Sequence, residues 1–275
     1  LIRNICREKE MDLSEIIDHV DIKFAQPFHL NSVKIPEGAE AIYVVDIGIN
    51  SQYPSQTRDF IEKISNKLVK WYDHHQGWSD ILLEMSQEVK DKFVIDENAK
   101  ACALILNSSN KLARDAVVAD TREGELSEIG MLIDQALKSN LGDEWMKIFA
   151  FRYLLGETML CLSDVLEKAA KSYQTVQLPN TEMLLEQRFS LENGIAVVDV
   201  RKVTAPYDVT LLSVLARDRS PKKTVVLLTL DGRGIVLKVF TSREDIDLTE
   251  ILGLKGGNRN AVQIPVAPWQ MEGVI

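Results

Sequence analysis

Hydrophobic positions follow two rhythms along this chain. In the first, short unbroken apolar runs alternate with amphipathic stretches. Residues 41–49 read Ala-Ile-Tyr-Val-Val-Asp-Ile-Gly-Ile, a β-branched run interrupted by one acid and bounded by Glu37-Gly38 and Asn50-Ser51. Such a run predicts a strand buried on both faces of a parallel sheet. Residues 55–66 then place Phe60, Ile61 and Ile64 on one side of a helix, and 68–72 form the next strand. Residues 81–89 are amphipathic, 93–95 form a short strand, and 99–106 and 112–120 read as helices. Alternating strand and helix predict an α/β fold around a parallel sheet. Upstream, residues 1–10 resemble the body of a helix with no N-cap in front of it, 21–24 form a brief extended segment, and 27–38 form a loop.

The second rhythm is helical. From residue 127 to 178, Ile129, Leu132, Ile133, Ala136 and Leu137 repeat at helical spacing, followed by helices over 144–155 and 158–173. Trp145, Met146, Phe149, Phe151 and Tyr153 read as ordinary core. Residues 174–181, with Pro179-Asn180, predict a hinge. Beyond it come strands at 194–200, 224–230 and 234–240, with a helix at 207–216 and a hairpin signal at Asp231-Gly232-Arg233. The expected organisation is a parallel-sheet domain with its connecting helices over 1–180 and a smaller α/β domain over 181–275.

Composition narrows the classes. With 275 residues, 45% of them hydrophobic, the chain can bury two cores of domain size. Its formal charge of -9 disfavours tight, non-specific binding to long nucleic acid. The 3 cysteines are far apart and in no paired metal spacing, which predicts reduced thiols and a cytoplasmic protein. No apolar run approaches the ~18 residues of a membrane span, so no membrane association is expected.

Chemistry concentrates where apolar runs end. Asp46 interrupts the first strand, where a lone buried carboxylate is costly unless a cation or a set of donors meets it. It reads equally as a strand-end cap helped by Gly48. Asp73-His74-His75 closes the second strand and holds two of the chain's 4 histidines. Adjacent residues leaving a strand point to opposite sides, so both imidazoles can serve one site only if the chain turns. Alone, the pair fits a polar loop. Asp120 follows Ala116-Val117-Val118-Ala119, with Arg122 two residues on; a helix-terminal acid beside an arginine is the commoner case. If the three ends converge on one edge of a sheet, where open α/β folds bind ligands, Asp46, His74 and Asp120 offer two oxygens and one nitrogen to Mn²⁺ or Mg²⁺.

The order of these motifs, Val45-Asp46-Ile47-Gly48, Asp73-His74-His75 and Ala119-Asp120-Thr121, resembles the DHH phosphoesterase superfamily. That superfamily includes RecJ-type exonucleases, nano-RNases, cyclic dinucleotide phosphodiesterases and family II inorganic pyrophosphatases. The resemblance implies that Asp46 bridges two metal ions, Mn²⁺ or Mg²⁺, and that His74 and Asp120 bind one each. It further implies that His75 contacts the scissile phosphate and that Asp73 orients the site. The family's opening His-x-Asp-x-Asp-Gly has no counterpart here, which implies an N-terminally incomplete catalytic domain.

Near the other end, Thr241-Ser242-Arg243 and Lys255-Gly256-Gly257-Asn258-Arg259-Asn260-Ala261 resemble the domain that accompanies DHH catalytic domains. Paired glycines let a backbone approach an anion, although a lone Gly-Gly is usually a turn. The resemblance implies a substrate clamp of Arg243, Gly256, Gly257, Asn258 and Arg259, with Arg122 opposite and the active site in the cleft between the domains. Asn258 stands where the family has histidine and cannot be cationic, which implies a shifted substrate.

The implied activity is metal-dependent hydrolysis of phosphodiester or phosphomonoester bonds in small nucleotides or short oligonucleotides. The alternatives are a catalytically silent nucleotide- or protein-binding relative and a cyclic dinucleotide phosphodiesterase. A homodimer is compatible with all three.

Overall fold

The computed structural model describes Cys6, Asp12 and residues 19–50, 53–121, 124–139, 143–156, 162–231, 234–254 and 258–266. The side chains of Asp120 and Asp231 fall outside that description, as does most of the helix expected over 1–10.

A parallel sheet of 3 strands, β1 (Ile42–Val45), β2 (Leu68–Asp73) and β3 (Phe93–Ile95), opens the fold in the order β1-β2-β3. Helix α1 (Pro54–Ile64) crosses from β1 to β2, while α2 (Trp78–Leu83) and α3 (Gln87–Lys90) lie between β2 and β3. Pro54 starts α1 where a missing N–H costs nothing, and Asn50 Oδ1 accepts the Tyr53 N–H at 3.1 Å. Thr57, Phe60, Ile61 and Ile64 are its buried positions, the spacing that lays one helix face on a sheet. At the centre, the fully buried Trp71 ring packs edge-on to Trp78 and Phe60 and stacks on Phe93. Burial of each such side chain contributes about 1.5–3 kcal/mol, and here it also fixes the end of β2.

A helical layer follows: α4 (Cys102–Asn107), α5 (Lys111–Thr121), α6 (Glu128–Ser139), α7 (Glu144–Leu155) and α8 (Leu162–Ser172). Ala136, Met146, Ala150, Leu166 and Ala169 form its core. Helix α5 sits close to α6 because Gly130 carries no side chain; a Cβ there would lie 2.6 Å from Asp115 Cγ. No helix among the described residues is long and apolar enough to cross a membrane.

Residues 174–181, expected as a hinge, are helical. A π-helical turn, Tyr173–Gln177, runs from the end of α8 into α9 (Leu178–Arg188). Pro179 lacks an N–H and would disrupt an unbroken α-helical ladder; a π turn just before it, closed by Leu178 N–H to Tyr173 O, absorbs the mismatch.

A mixed sheet of 5 strands completes the fold in the order β4 (Phe189–Glu192), β5 (Ile195–Asp199), β6 (Thr224–Asp231), β7 (Gly234–Thr241), β8 (Ala261–Val266). Helices α9 and α10 (Val209–Asp218) pack on it through Leu184, Leu185, Leu212 and Ala216. The β6–β7 pairing runs antiparallel out to Asp231↔Gly234, as the hairpin signal requires, although residues 232 and 233 lie outside the described residues. Strands β4 and β8 were not foreseen. β4 shows almost no apolar alternation, with three of its 4 positions exposed, and β8 contains Pro265, which an edge strand tolerates.

Two expectations in the first sheet need correction. The strand expected over 41–49 stops at Val45, and Asp46 adopts a left-handed backbone with φ 60. Its side chain is 51% exposed; it sits at the mouth of the sheet and escapes the cost of burial inside a strand. The helix expected from residue 99 begins at Cys102, because Ala101 is extended.

Candidate metal centre at the edge of the parallel sheet

Parallel pairing puts the ends of β1 and β2 side by side. Val45 pairs with Tyr72, and the Asp46 N–H continues the ladder to Tyr72 O at 2.9 Å. Beyond this point the two chains diverge. Asp46 turns left-handed, which Asp tolerates better than most residues, and the Trp71 indole N–H secures the turn by donating to Ile47 O at 3.1 Å.

His74 is held from both sides. Its Nδ1–H donates to the Ala99 carbonyl at 3.0 Å, which leaves Nε2 facing Asp46 Oδ1 at 3.2 Å. The Ala99 carbonyl is free for this because helix α4 starts later than the sequence suggested. A carbonyl only accepts, so it selects the tautomer whose Nε2 lone pair points at the carboxylate, the arrangement of a metal-binding imidazole. When the ring is protonated, Nε2–H instead donates to Asp46, and this bond raises the His74 pKa to about 9. Partial desolvation by the surrounding chain pushes the Asp46 carboxyl up even at the sheet's mouth, but the hydrogen bond and charge of His74 outweigh it and leave that carboxyl below its ordinary value.

Asp73 is fully buried and accepts three donors. His75 Nδ1–H reaches Oδ1 at 2.8 Å, while the His75 backbone N–H at 3.3 Å and the Trp78 indole N–H at 2.6 Å reach Oδ2. The carboxylate therefore fixes the His75 ring and its tautomer, with Nε2 left outward. Together Asp46, His74 and His75 present one ligand atom each, all within 4.8 Å of one another. One carboxylate oxygen and two imidazole nitrogens form a donor set for a divalent transition ion, and slight closure would bring all three to bonding distances of roughly 2.0–2.2 Å.

Gly48 makes this geometry possible. A Cβ there would stand 2.7 Å from His75 Cγ and 2.8 Å from its Cβ. Gly48→Ala is therefore expected to displace the His75 ring and weaken Mn²⁺ binding about tenfold or more, with thermal stability changed far less. Equal Mn²⁺ affinity in the two proteins, measured calorimetrically, would show that the ring position is immaterial. Nearby Cys102 donates to Tyr72 O at 3.2 Å, and burial pushes its thiol up to about 12, away from the thiolate form.

The ion pair also makes a prediction for metal-free protein. The folded-state pKa of His74 lies above its ordinary 6.5, so its stabilisation is complete below pH 6.5 and disappears as the pH rises through about 9. In EDTA, the melting temperature of the wild type should exceed that of His74→Asn by more at pH 6 than at pH 9.5. A gap independent of pH would show that His74 is uncharged.

Of the expected site residues, Asp46, Asp73, His74 and His75 converge. Helix α5 ends at Thr121, so Asp120 lies in its last turn, but its side chain is outside the described residues, as are Arg122, Gly256 and Gly257. Arg243 is engaged by Asp245 in a two-point ion pair, and Arg259 donates to Glu244 O at 2.8 Å. Asn258 Oδ1 accepts the Asn260 N–H at 2.9 Å. Among the described residues the C-terminal sheet's half reaches the centre elsewhere: the Thr249 hydroxyl, on α11 (Leu248–Ile251), donates to Gln76 Oε1 at 3.1 Å, directly after His75. The sequence reading missed Gln76, Thr249 and the Trp78 indole. Only Trp78 carried a usable signal, an indole donor a few residues past a costly buried acid.

No protein-family model matches this chain, and neither does any curated protein sequence. Among solved structures, the pGpG-specific phosphodiesterase PggH from Vibrio cholerae is similar, with a TM-score of 0.53 and 11% identity over 93% of this chain and 87% of that one. The two share a fold. Identity this low extends the likeness no further. An uncharacterized protein from Helicobacter pylori G27 matches at a TM-score of 0.30 with 15% identity, covering 88% of this chain and 81% of that one; a score so low carries no weight here.

Proposed function

We propose that this chain is a divalent-metal-dependent phosphoesterase acting on small nucleotides or short oligonucleotides. The observation that carries the reading is the cluster of Asp46, His74 and His75 at the carboxyl edge of a parallel sheet, in a fold shared with a pGpG-specific phosphodiesterase. That edge is where open α/β sheets place ligands.

A divalent transition ion such as Mn²⁺ fits this donor set better than Mg²⁺, which prefers oxygen ligands, and two ions are expected in the working enzyme. Bound there, the metal would supply an activated water and offset the charge that develops on the phosphoryl oxygens. Asp46 and His74 are proposed to hold it, with Asp120 from the end of α5. Asp73 holds His75 so that its outward nitrogen meets the ion or the scissile phosphate. Arg243 and Arg259, on the half of the chain taken as the substrate-binding domain (181–275), are proposed to meet substrate phosphates together with Gly256, Gly257 and Asn258. Arg122 is proposed to meet them from the catalytic half (1–180). For Arg243 this requires a phosphate to compete with Asp245, which already occupies the guanidinium. The chain's net charge of -9 favours a short substrate over a long polyanion.

A turnover panel tests the proposal: pGpG, short oligoribonucleotides, 3′-phosphoadenosine 5′-phosphate, cyclic dinucleotides and pyrophosphate, each with Mn²⁺ and with EDTA. The expected result is hydrolysis of at least one linear nucleotide with Mn²⁺ and none with EDTA. Turnover that persists in EDTA, or no turnover of any member, would overturn it.

A further inference from the structure

An open cleft of about 470 Å³ is lined by residues that follow the candidate ligands in sequence, within the roughly 300–1,000 Å³ of small-molecule sites. Its wall takes Ile49, directly after Gly48, and Gly77, two residues after His75, so both strands of the centre lead into it. The remaining lining separates into two chemistries. Ile49, Pro54 and Leu83 supply apolar surface, and Leu83 is 74% exposed. Arg58, Asp80 and Glu84 supply the polar groups.

Those polar groups are arranged on two helices. Asp80, in the first turn of α2, and Glu84, its C-cap, are four residues apart and share a helix face. Arg58 of α1 binds Glu84 through Nη1 at 2.6 Å, while its Nε is buried and has no hydrogen-bond partner in the structure. The buried Nε is out of reach of a ligand in the cleft; the side chain is 36% exposed, and the Nη hydrogens that Glu84 leaves unused can donate there.

We propose that this cleft binds a guanine base, with the attached phosphate directed at the metal centre. Guanine presents two adjacent donors, N1–H and N2–H, to a carboxylate, and two acceptors, O6 and N7, to a guanidinium. Apolar walls cover its flat faces. Adenine fails this test, because its exocyclic amine would meet the guanidinium donor to donor and its N1 would meet a carboxylate acceptor to acceptor. A phosphate is also a poor occupant, since the two acids outnumber the one arginine. The direction of the phosphate rests on the phosphoesterase reading; recognition of the base does not.

Equilibrium binding of GMP and AMP to the full chain in EDTA tests the base directly. The expected result is GMP bound at least tenfold more tightly than AMP, with that ratio falling below threefold in Asp80→Asn or in Glu84→Gln. Circular dichroism would confirm that each variant is folded, and exposure of both positions makes that outcome expected. Equal binding of GMP and AMP by the wild type overturns the proposal. So does a ratio that survives both substitutions. If wild-type protein with Mn²⁺ turns over neither bis(p-nitrophenyl) phosphate nor any nucleotide while the GMP preference holds, the phosphoesterase reading fails and the base site stands.

Discussion

Asp46→Asn should abolish Mn²⁺-dependent turnover while leaving the fold intact. Residue 46 is at once half exposed, left-handed and bonded to His74, so its side chain packs against little whose loss would unfold the sheet. An amide keeps the shape and removes the charge, and a neutral oxygen is a far poorer partner for a divalent ion. Asparagine also tolerates the φ of 60 at that position. The expected loss in kcat is about a thousandfold or more, the scale of removing an electrostatic stabiliser from an active site, with the melting temperature within a few degrees of wild type. In metal-free protein the substitution should also return His74 towards its ordinary pKa, which proton NMR of its ring would report. Retained turnover would exclude Asp46 as a ligand.

Asp73→Asn is expected to fail differently, in stability and activity together. The carboxylate has no exposure and satisfies three donors, including an indole N–H at 2.6 Å. An amide can accept at only one of its two positions. Whichever way it flips, its own N–H₂ faces either the His75 ring or the Trp78 indole. Leaving a buried donor unpaired costs about 1–3 kcal/mol. His75 would also lose the acceptor that fixes its tautomer, and loss of such an orienting partner typically costs 10–100-fold in metal affinity or activity. Chemical denaturation and Mn²⁺ titration measure the two effects separately. A destabilised variant with unchanged Mn²⁺ affinity would reduce Asp73 to a purely structural role.

The contrast between these two acids shows what was legible in the sequence. Both stand at the ends of apolar runs, and the pattern marked Asp46, inside its run, as the expensive buried carboxylate. Only Asp73 is buried; its relief comes from Trp78 and His75, contacts that depend on where α2 starts. Asp46 escapes burial because β1 ends one residue earlier, and a single backbone torsion at Asp46 decides that. The α/β class and the parallel sheet followed from periodicity because strands covered on both faces need continuous apolar runs, and β1, β2 and β3 supply them. Edge strands have no such requirement, so β4 and β8 left little trace. The connection at 174–181 is helical, and its break in pattern has a local cause. Pro179 marks a break in α-helical bonding, and a π turn absorbs the break without leaving the helix.

The centre itself was partly legible. From the sequence Asp46, His74 and Asp120 were grouped as ligands, with His75 set against the phosphate; the structure brings His75 into the cluster with Asp46 and His74, and the Asp120 side chain lies outside the described residues. What the sequence could not supply was the carbonyl of Ala99 that orients His74, or the void at Gly48 that admits the His75 ring. Both are properties of the backbone, and no side-chain type announces them.

The account rests on a divalent ion at the mouth of the first sheet. Anomalous X-ray scattering at the manganese edge, from crystals of the protein grown with Mn²⁺, tests it most directly. A peak within about 2.5 Å of both an Asp46 carboxylate oxygen and His74 Nε2 is the predicted result. Ordered manganese only at other positions, with the Asp46–His74 bond of 3.2 Å intact, would contradict it.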